Sequence, residues 1–296
     1  MAHGKSLLDE LKHPGRTAAR LSRRSTIAVA AILLAACGNR TGSTSNAGAA
    51  GVPALISGAT TYTLAPQPAP APTPTRQVKV AAHAFAANSS GTDMPVLTTP
   101  PVATPARGTL VLVQALTQRA ATLQTIRDNM GNTYQQIGPS QTYADGKAGS
   151  VLFACSDARG GAGQAWSLVK ADGHAADEAS IYVVALTASS GVGAWSYSNT
   201  VPYNTRTPMT ATKAGCVVVS FWGPSDYSGS ARDPLNAYYA PPGWTLGGQN
   251  DNSFNQNSGA YAWIPVSEAN TVLDPQWSSK KSVKANGSMW LVEVRP

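Results

Sequence analysis

From residue 108 onward, the chain is a succession of short runs of β-branched and aromatic residues, separated by clusters of Gly, Asn and Asp. Runs of this kind with turn signals between them predict antiparallel strands. No part of residues 100–296 shows a 3.6-residue apolar period beyond a single turn, and 177–186 is the one ambiguous segment. Only 12% of the residues are charged, which excludes a long-helix or coiled-coil protein. The strand pattern predicts an all-β sandwich or barrel.

The strand pattern also indicates how many layers the domain has. The predicted strands span residues 77–86, 109–116, 121–127, 133–137, 151–155, 165–170, 180–186, 207–212, 216–222, 259–265 and 288–294. About ten or eleven strands exceed an immunoglobulin domain and suit a jelly-roll-like pair of sheets. The run 216–222 is apolar on both faces, which predicts a central strand covered by a second sheet on one face and by loops on the other. We therefore expect a mainly β, jelly-roll-like two-sheet β-sandwich over residues 77–296.

The start of the chain has the organisation of an export signal. Residues 26–36 form an apolar run behind the positively charged segment 16–24. The run is too short to span a bilayer, which needs about 20 apolar residues, and it matches the hydrophobic region of a signal peptide. The alternative is that Cys37, which follows the run, is a thiol buried in a hydrophobic helix.

The run ends in Leu34-Ala35-Ala36-Cys37, which resembles the lipobox of bacterial lipoproteins. The resemblance implies that residues 1–36 are removed as a lipoprotein signal peptide and that Cys37 carries the lipid. Gly38, rather than Asp, follows the cysteine, which in that family implies the outer membrane. Several acyl chains on one residue would anchor the protein stably.

The segment after the cysteine has the composition of a linker. Residues 38–51 are almost entirely Gly, Ser, Thr, Asn and Ala, which cannot bury enough apolar surface to fold. Proline then alternates with other residues between 66 and 74, which favours extended polyproline II. We therefore expect residues 37–76 to be a disordered, lipid-anchored tether.

Net charge excludes one class of partner. The chain has a formal net charge of +7, of which residues 1–36 contribute +4. The remaining basic residues are scattered, whereas a nucleic-acid-binding domain carries a basic stripe in its folded part. We expect no nucleic-acid partner.

Parts of the domain have a familiar order. Asp128-Asn129-Met130-Gly131-Asn132-Thr133-Tyr134 follows the strand at 109–116, Pro242-Gly243-Trp244-Thr245 comes later, and residues 288–294 close the chain. This order resembles β-sandwich modules of bacterial surface and phage-associated proteins, which begin with a strand, Asp-x-x-Gly-Asn-x-Tyr and a second strand. The resemblance implies a sandwich used for binding or display and assigns no functional residue. Asn and Gly in this motif also suit a hairpin turn with positive φ.

No catalytic or metal-binding signature is present. His83 and His174 are isolated, and the usual zinc-ligand spacings, the Gly-x-Ser-x-Gly elbow and the phosphate-binding loop do not occur. We therefore predict no catalytic residue, no metal and no cofactor. An enzyme acting on polysaccharides remains an alternative, and it requires Asp177, Glu178 or a loop acid to meet Lys, Tyr or His174 in one groove.

Aromatic residues and amides indicate a carbohydrate-binding face. Sugars stack on aromatic rings while amides and carboxylates bind their hydroxyls, and Tyr and Trp combine an apolar body with a polar group. The ligand-binding candidates in predicted loops are Tyr227, Tyr238, Tyr239, Trp244, Asn250, Asp251, Asn252 and Phe254. Each has an alternative role in loop packing or a solvated turn. Trp222, Trp263 and Trp290 lie in predicted strands, where core packing is expected.

Two cysteines remain if Cys37 is lipidated. Cys155 and Cys216 both lie in predicted strands, and an exported protein is in an oxidising compartment, so a disulfide is one interpretation. Two separately buried thiols are the other interpretation.

The leading hypothesis is a lipid-anchored bacterial envelope protein that displays a β-sandwich for binding or adhesion, with a carbohydrate or an envelope protein as its partner. The first alternative is the polysaccharide-active enzyme. The second alternative is a structural subunit of an envelope or appendage assembly, which an exposed apolar patch or a long unpaired edge strand would favour.

Overall fold

The computed structural model describes residues 76–88, 91–144, 146–199, 207–224, 237–250, 258–280 and 287–296. All of them belong to the unit Ala69–Pro296, the second of the two into which the chain divides. The predicted signal peptide, the predicted lipidation site Cys37 and nearly all of the predicted tether lie outside the described residues. Within the described ranges, no helix is long and apolar enough to cross a membrane.

The predicted mainly β fold is confirmed. The strands are β1 (Lys79–Ala87), β2 (Val96–Thr98), β3 (Thr109–Thr117), β4 (Leu123–Asp128), β5 (Gln135–Tyr143), β6 (Ala148–Ala158), β7 (Trp166–Lys170), β8 (Ala179–Thr187), β9 (Gly191–Ser198), β10 (Met209–Ala211), β11 (Cys216–Gly223), β12 (Tyr238–Tyr239), β13 (Thr245–Asn250), β14 (Gly259–Val266), β15 (Thr271–Leu273), β16 (Ser278–Ser279) and β17 (Ser288–Arg295). Every predicted strand overlaps an observed one, and the ambiguous segment 177–186 contributes β8.

Two five-stranded antiparallel sheets form the centre of the domain. The N-terminal sheet has the order β1-β8-β3-β6-β5, and the C-terminal sheet has the order β13-β14-β11-β17-β9. Each is built from one half of the described chain. Their facing sides share one apolar core, which includes Leu112, Val184, Phe221, Tyr261 and Trp290. The predicted two-sheet sandwich is therefore confirmed.

Small sheets cover the outer faces of both large sheets. The three-stranded sheet β2-β7-β4 packs Trp166 and Leu168 against the N-terminal sheet. The pairs β10–β15 and β12–β16 cover the C-terminal sheet in the same way. The sequence predicts loops on these faces, whereas the structure has short strands there as well. Strands of two or three residues are too short to give a recognisable pattern in the sequence. This double coverage explains why β3 is buried at all nine positions.

Two glycine-rich segments outside the predicted strands also form strands. The residues Gly191-Val192-Gly193 begin β9, and residues 247–250 end β13. A Cβ at Gly193 would lie 2.3 Å from Glu293 Oε2, and one at Gly247 would lie 2.2 Å from the Tyr261 ring. Close approach of a neighbouring side chain therefore requires glycine at these strand positions.

All four outer strands of the two large sheets carry a bulge. The register slips at Ala81 in β1, at Gly247 in β13 and near Ala194 in β9, and two extra residues interrupt β5 between Ile137 and Gln141. Bulges at sheet edges twist the unpaired backbone and hinder pairing with another chain. A long regular edge strand, which would favour the appendage alternative, is thus not found among the described outer strands.

The disulfide interpretation is corrected by the positions of the thiols. Cys155 and Cys216 are both free and buried. Cys155 packs between the N-terminal sheet and its cover, whereas Cys216 packs on the outer face of the C-terminal sheet. Both large sheets and the shared core separate them, so no bond can form in this fold.

A small polar cluster lies inside the sandwich. Ser150 Oγ accepts hydrogen bonds from Trp290 Nε1 at 2.9 Å and Gln114 Nε2 at 3.3 Å, and it lies 2.8 Å from Ser288 Oγ. Gln114 is fully buried, and its Oε1 has no hydrogen-bond partner in the described structure. An unpaired buried carbonyl oxygen costs about 1–3 kcal/mol of desolvation.

We expect Gln114→Met to raise the free energy of unfolding by about 1 kcal/mol, because it removes the unpaired oxygen and retains the volume. Ser150→Ala should lower it by about 2 kcal/mol, because it leaves the buried Trp290 N–H without an acceptor. Urea unfolding of both variants measures the two changes. A destabilised Gln114→Met protein with a stable Ser150→Ala protein would contradict this account of the cluster.

Candidate binding site

The aromatic site predicted around residues 238–250 is packed against the core wherever the structure describes it. Tyr238 is 1% exposed and meets Trp222 edge-to-face, with ring centroids 5.5 Å apart. Its backbone N–H donates to Gln249 Oε1 at 2.6 Å. Trp244 is half-buried and packs against the apolar clusters under both short strand pairs. Tyr238 is therefore a core residue, and the interpretation of Tyr238 and Trp244 as a concave site is not supported.

The remaining loop candidates are dispersed. Asn250 connects the two sheets, because its amide accepts from the Tyr182 hydroxyl and donates to Ser180 Oγ at 3.2 Å. Tyr239 is 51% exposed and stays a candidate. The other candidates, Tyr227, Asp251, Asn252 and Phe254, lie outside the described residues.

A different site arises from the bulge in β1. Up to the bulge, Val78 and Val80 face the C-terminal sheet; beyond it, Phe85 faces that sheet while Ala84 faces the outer cover. The extra residue, Ala81, thus shifts the alternation of side chains by one position. As a result His83, like Phe85, is turned toward the aromatic residues of β14.

The opposite wall is exposed because β13 is short. β13 begins at Thr245, opposite Trp263, so the last residues of β14 lack a strand on that side. Between this free edge and β1 lies a groove of about 480 Å³, which we call the seam groove. Its lining residues are Gln77, Val78, Lys79, Val80, Ala81, Ala82, His83, Val217, Trp263 and Pro265.

Aromatic residues hold His83 in place at the seam groove. His83 Nδ1 lies 2.8 Å from the Tyr261 hydroxyl, and the imidazole is tilted 51° against the Trp263 ring at 5.2 Å. Burial lowers the pKa of His83 and raises that of Tyr261, so both are neutral at pH 7. The second imidazole nitrogen has no partner among the described residues and is available to a ligand.

The lining of the seam groove contains basic residues and no acidic residue. Among its lining residues are one lysine, Lys79, and one histidine, and there is no Asp or Glu. A smaller cavity of about 100 Å³, which shares Gln77, Val78 and Pro265 with it, also has no acidic lining residue. Lys79 is exposed, and its pairing with Thr187 places it on the outer face of β1, opposite to the face that carries His83.

A second, more polar groove lies at the opposite seam, between β5 and β9. It measures about 290 Å³ and is lined by Thr133, Gln135, Gln136, Ile137, Ala154, Cys155, Ser156 and Val192. Burial raises the pKa of the Cys155 thiol, which makes it a poor nucleophile. This groove combines hydrogen-bonding groups with little aromatic surface.

The acid cluster required by the enzyme alternative is partly present. Asp177 Oδ2 accepts from Thr122 Oγ1 at 2.7 Å and lies 2.7 Å from His174 Nδ1. Burial raises the pKa of Asp177, but these hydrogen bonds outweigh burial and hold it below its usual value. Lys170 Nζ donates to the backbone carbonyls of Ala175 and Asp177. The cluster secures the β7–β8 connection and lines none of the three cavities described above. Among the described residues, no three His, Cys, Asp or Glu lie close enough to hold a metal ion.

The Asp-x-x-Gly-Asn-x-Tyr motif has a structural role. Asp128 accepts hydrogen bonds from the backbone of Met130 and Asn132 and from the side chains of Asn132, Tyr134 and Gln164. Gly131 adopts a φ of 74°, as the turn requires. Burial raises the pKa of Asp128, but the hydrogen bonds outweigh it and the pKa lies below its usual value.

Comparisons with protein-family models, curated proteins and solved structures found no match. The fold and the groove define a class, a β-sandwich with a cleft between the edges of its sheets. The lipobox and the likeness to surface modules stay predictions.

Sequence reasoning missed both principal residues of the seam groove. His83 is isolated in the sequence, and its position in a strand predicts that Trp263 belongs to the core, whereas Trp263 is half-buried and lines the groove. The bulge that brings them together has no sequence signal, because Ala81 and Ala82 fit either face of the strand.

We expect Asp128→Asn to lower the free energy of unfolding by about 2–3 kcal/mol at pH 7, because an amide cannot accept from all these donors. The lowered pKa means that the contribution of the carboxylate is present above the unfolded-state value of 3.8 and is lost as the pH falls below it. The difference from the wild type, measured by denaturant unfolding, should therefore shrink between pH 5 and about pH 3. The exposed Asp93→Asn is the control and should show little change. A pH-independent difference would contradict this role for Asp128.

Proposed function

We propose that the protein is a lipid-anchored component of the bacterial outer membrane that displays its β-sandwich for binding, with the seam groove as the binding site and a carbohydrate as the ligand. The observation that carries the proposal is the groove itself, with the Trp263 ring and the unpaired nitrogen of His83 in one cleft.

The anchor is supported by the sequence around Cys37. A short apolar run, small residues and the cysteine occur in the order that a lipoprotein signal needs. The two other cysteines are buried in the domain, so neither is accessible to an acyl transferase. The linker-like residues 38–75 between Cys37 and the domain suit the display of a domain at a distance from the membrane.

The choice of ligand rests on the kind of surface in the groove. An aromatic ring stacks on the apolar face of a sugar, while the imidazole nitrogen of His83 can bind one of its hydroxyls. An extended protein segment added to β1 is less favoured, because the bulge at Ala81 breaks the regular spacing of the free backbone groups.

The anchor predicts that cells fed radioactive palmitate will label the wild-type protein, and that Cys37→Ser will abolish the label and leave the protein unprocessed. Cys155→Ser is the matched control and should keep the label. Electrophoresis of membrane fractions measures both. A Cys37→Ser protein that is labelled as strongly as the wild type would refute the anchor.

The binding site predicts that Trp263→Ala will weaken binding to the best ligand of a glycan array about tenfold, through the loss of ring stacking. Tyr239→Ala, which removes an exposed ring outside the groove, should leave the affinity unchanged. Calorimetric titration measures the affinities, and thermal unfolding confirms that both variants fold. Loss of binding in Tyr239→Ala alone would place the site on the face predicted from the sequence, and the absence of any bound glycan would refute a carbohydrate ligand.

A further inference from the structure

We propose that the seam groove binds the end of a glycan chain, so that the terminal sugar ring lies at Trp263 and His83 while the rest of the chain leaves toward solvent. This inference rests on the proposed function and names the part of a saccharide that the groove takes. Two crossings of the seam, one at each end of the groove along β1, support it.

Strand β13 closes the groove at the end that holds the aromatic residues. It begins at Thr245, opposite Trp263, and continues along β14 beside β1. A Cβ at Gly248 would lie 2.7 Å from the Phe85 ring, so β13 packs directly on β1 at this point. A ligand that lies along β1 therefore cannot extend past His83 in this direction.

A backbone hydrogen bond crosses the seam at the other end. The N–H of Val78 donates to the carbonyl oxygen of Gly215 at 2.9 Å. Val78 lines both the seam groove and the small cavity, whereas Gly215 lines only the small cavity, so the bond lies where the two meet. Between the two crossings, the strand from Val78 to His83 spans about 16 Å, at about 3.3 Å per residue. The groove is therefore a short cleft, and the exposed residues Ala81 and His83 mark its open side.

A short cleft that is crossed at both ends suits a chain end. Its volume of about 480 Å³ lies within the range of about 300–1,000 Å³ that is typical of pockets for one small ligand. An internal segment of a glycan would have to enter and leave through the same open side, which requires a sharp bend of the chain. A terminal sugar enters without such a bend and can stack on Trp263, the aromatic ring of the lining.

The first residue of β13 adds a polar group beside the terminal sugar. Thr245 is directly opposite Trp263 in the antiparallel pair, so the two side chains lie on the same face with their Cβ atoms about 5 Å apart. Thr245 is exposed, and the second imidazole nitrogen of His83 lies on the other strand of the seam. Both groups can reach hydroxyls of a sugar that stacks on Trp263. Thr245 is thus a further contact, although it is not among the lining residues of the groove.

The test uses the full chain in a detergent without a sugar headgroup, and its probes are the cello-, malto-, laminari- and chito-hexasaccharides. Each hexasaccharide is used in three forms: unmodified, reduced at the reducing end so that the last sugar ring is open, and blocked at the other end by a 4,6-benzylidene acetal. For a hexasaccharide that binds, calorimetry should show that one modification weakens binding about tenfold and that the other changes it less than about twofold.

The second arm tests the contact of Thr245. Thr245→Val removes the hydroxyl and keeps the shape, so it should weaken binding of the unmodified hexasaccharide about fivefold. It should cause no further loss for the form with the altered terminal sugar, because that form no longer makes the contact. Thr210→Val, at an exposed threonine in the pair β10–β15, is the matched control and should leave every affinity unchanged. Thermal unfolding confirms that both variants fold.

The outcomes separate this inference from the proposed function. Equal binding of all three forms would overturn the chain end and leave a carbohydrate-binding function standing. Equal weakening by both modifications would also overturn it, because only one end of a chain can lie at Trp263. A Thr245→Val protein that binds as tightly as the wild type would refute the contact of Thr245. Absence of binding to every hexasaccharide would overturn the inference, and the glycan array then decides the proposed function separately.

Discussion

The burial of the central strands on both faces is the constraint from which the rest of the domain follows. β3, β8, β11 and β17 consist almost wholly of buried residues, so each large sheet needs apolar cover on two sides. One side is provided by the other large sheet, and the second by small sheets made from the connections. Polar groups that enter these layers, such as Asp128 and Glu293, are surrounded by hydrogen-bond donors, as burial of a charge requires.

A sandwich that closes its faces still leaves four edges, and the way these edges are protected creates the candidate site. Each outer strand contains its own bulge, which discourages pairing between molecules. In β1 the same bulge turns His83 toward Tyr261, and the late start of β13 leaves the end of β14 open. The seam groove is therefore a consequence of edge protection, and it brings the Trp263 ring and the His83 imidazole into one cleft.

The sequence predicted the parts of the fold that depend on local patterning. The run 216–222 is apolar at nearly every position, and it forms the fully buried β11. β9 and β13 are absent from the predicted strands because glycine is rare in strands, although close packing against Glu293 and Tyr261 requires glycine there. Tyr238 is a residue type that suits a binding loop, and only the tertiary structure shows that its ring belongs to the core. The groove was beyond prediction, because the position of one extra alanine in β1 decides which face His83 occupies.

The central claim is that ligand binds at the seam between β1 and β14. Nuclear magnetic resonance of the labelled protein, titrated with the best ligand of the glycan array, tests it most directly. The account predicts shifts of the His83 imidazole and Trp263 indole signals together with the β1 amides, while Tyr239 and the β5–β9 seam stay unchanged. Shifts confined to Tyr239 or to the groove beside Cys155 would contradict it.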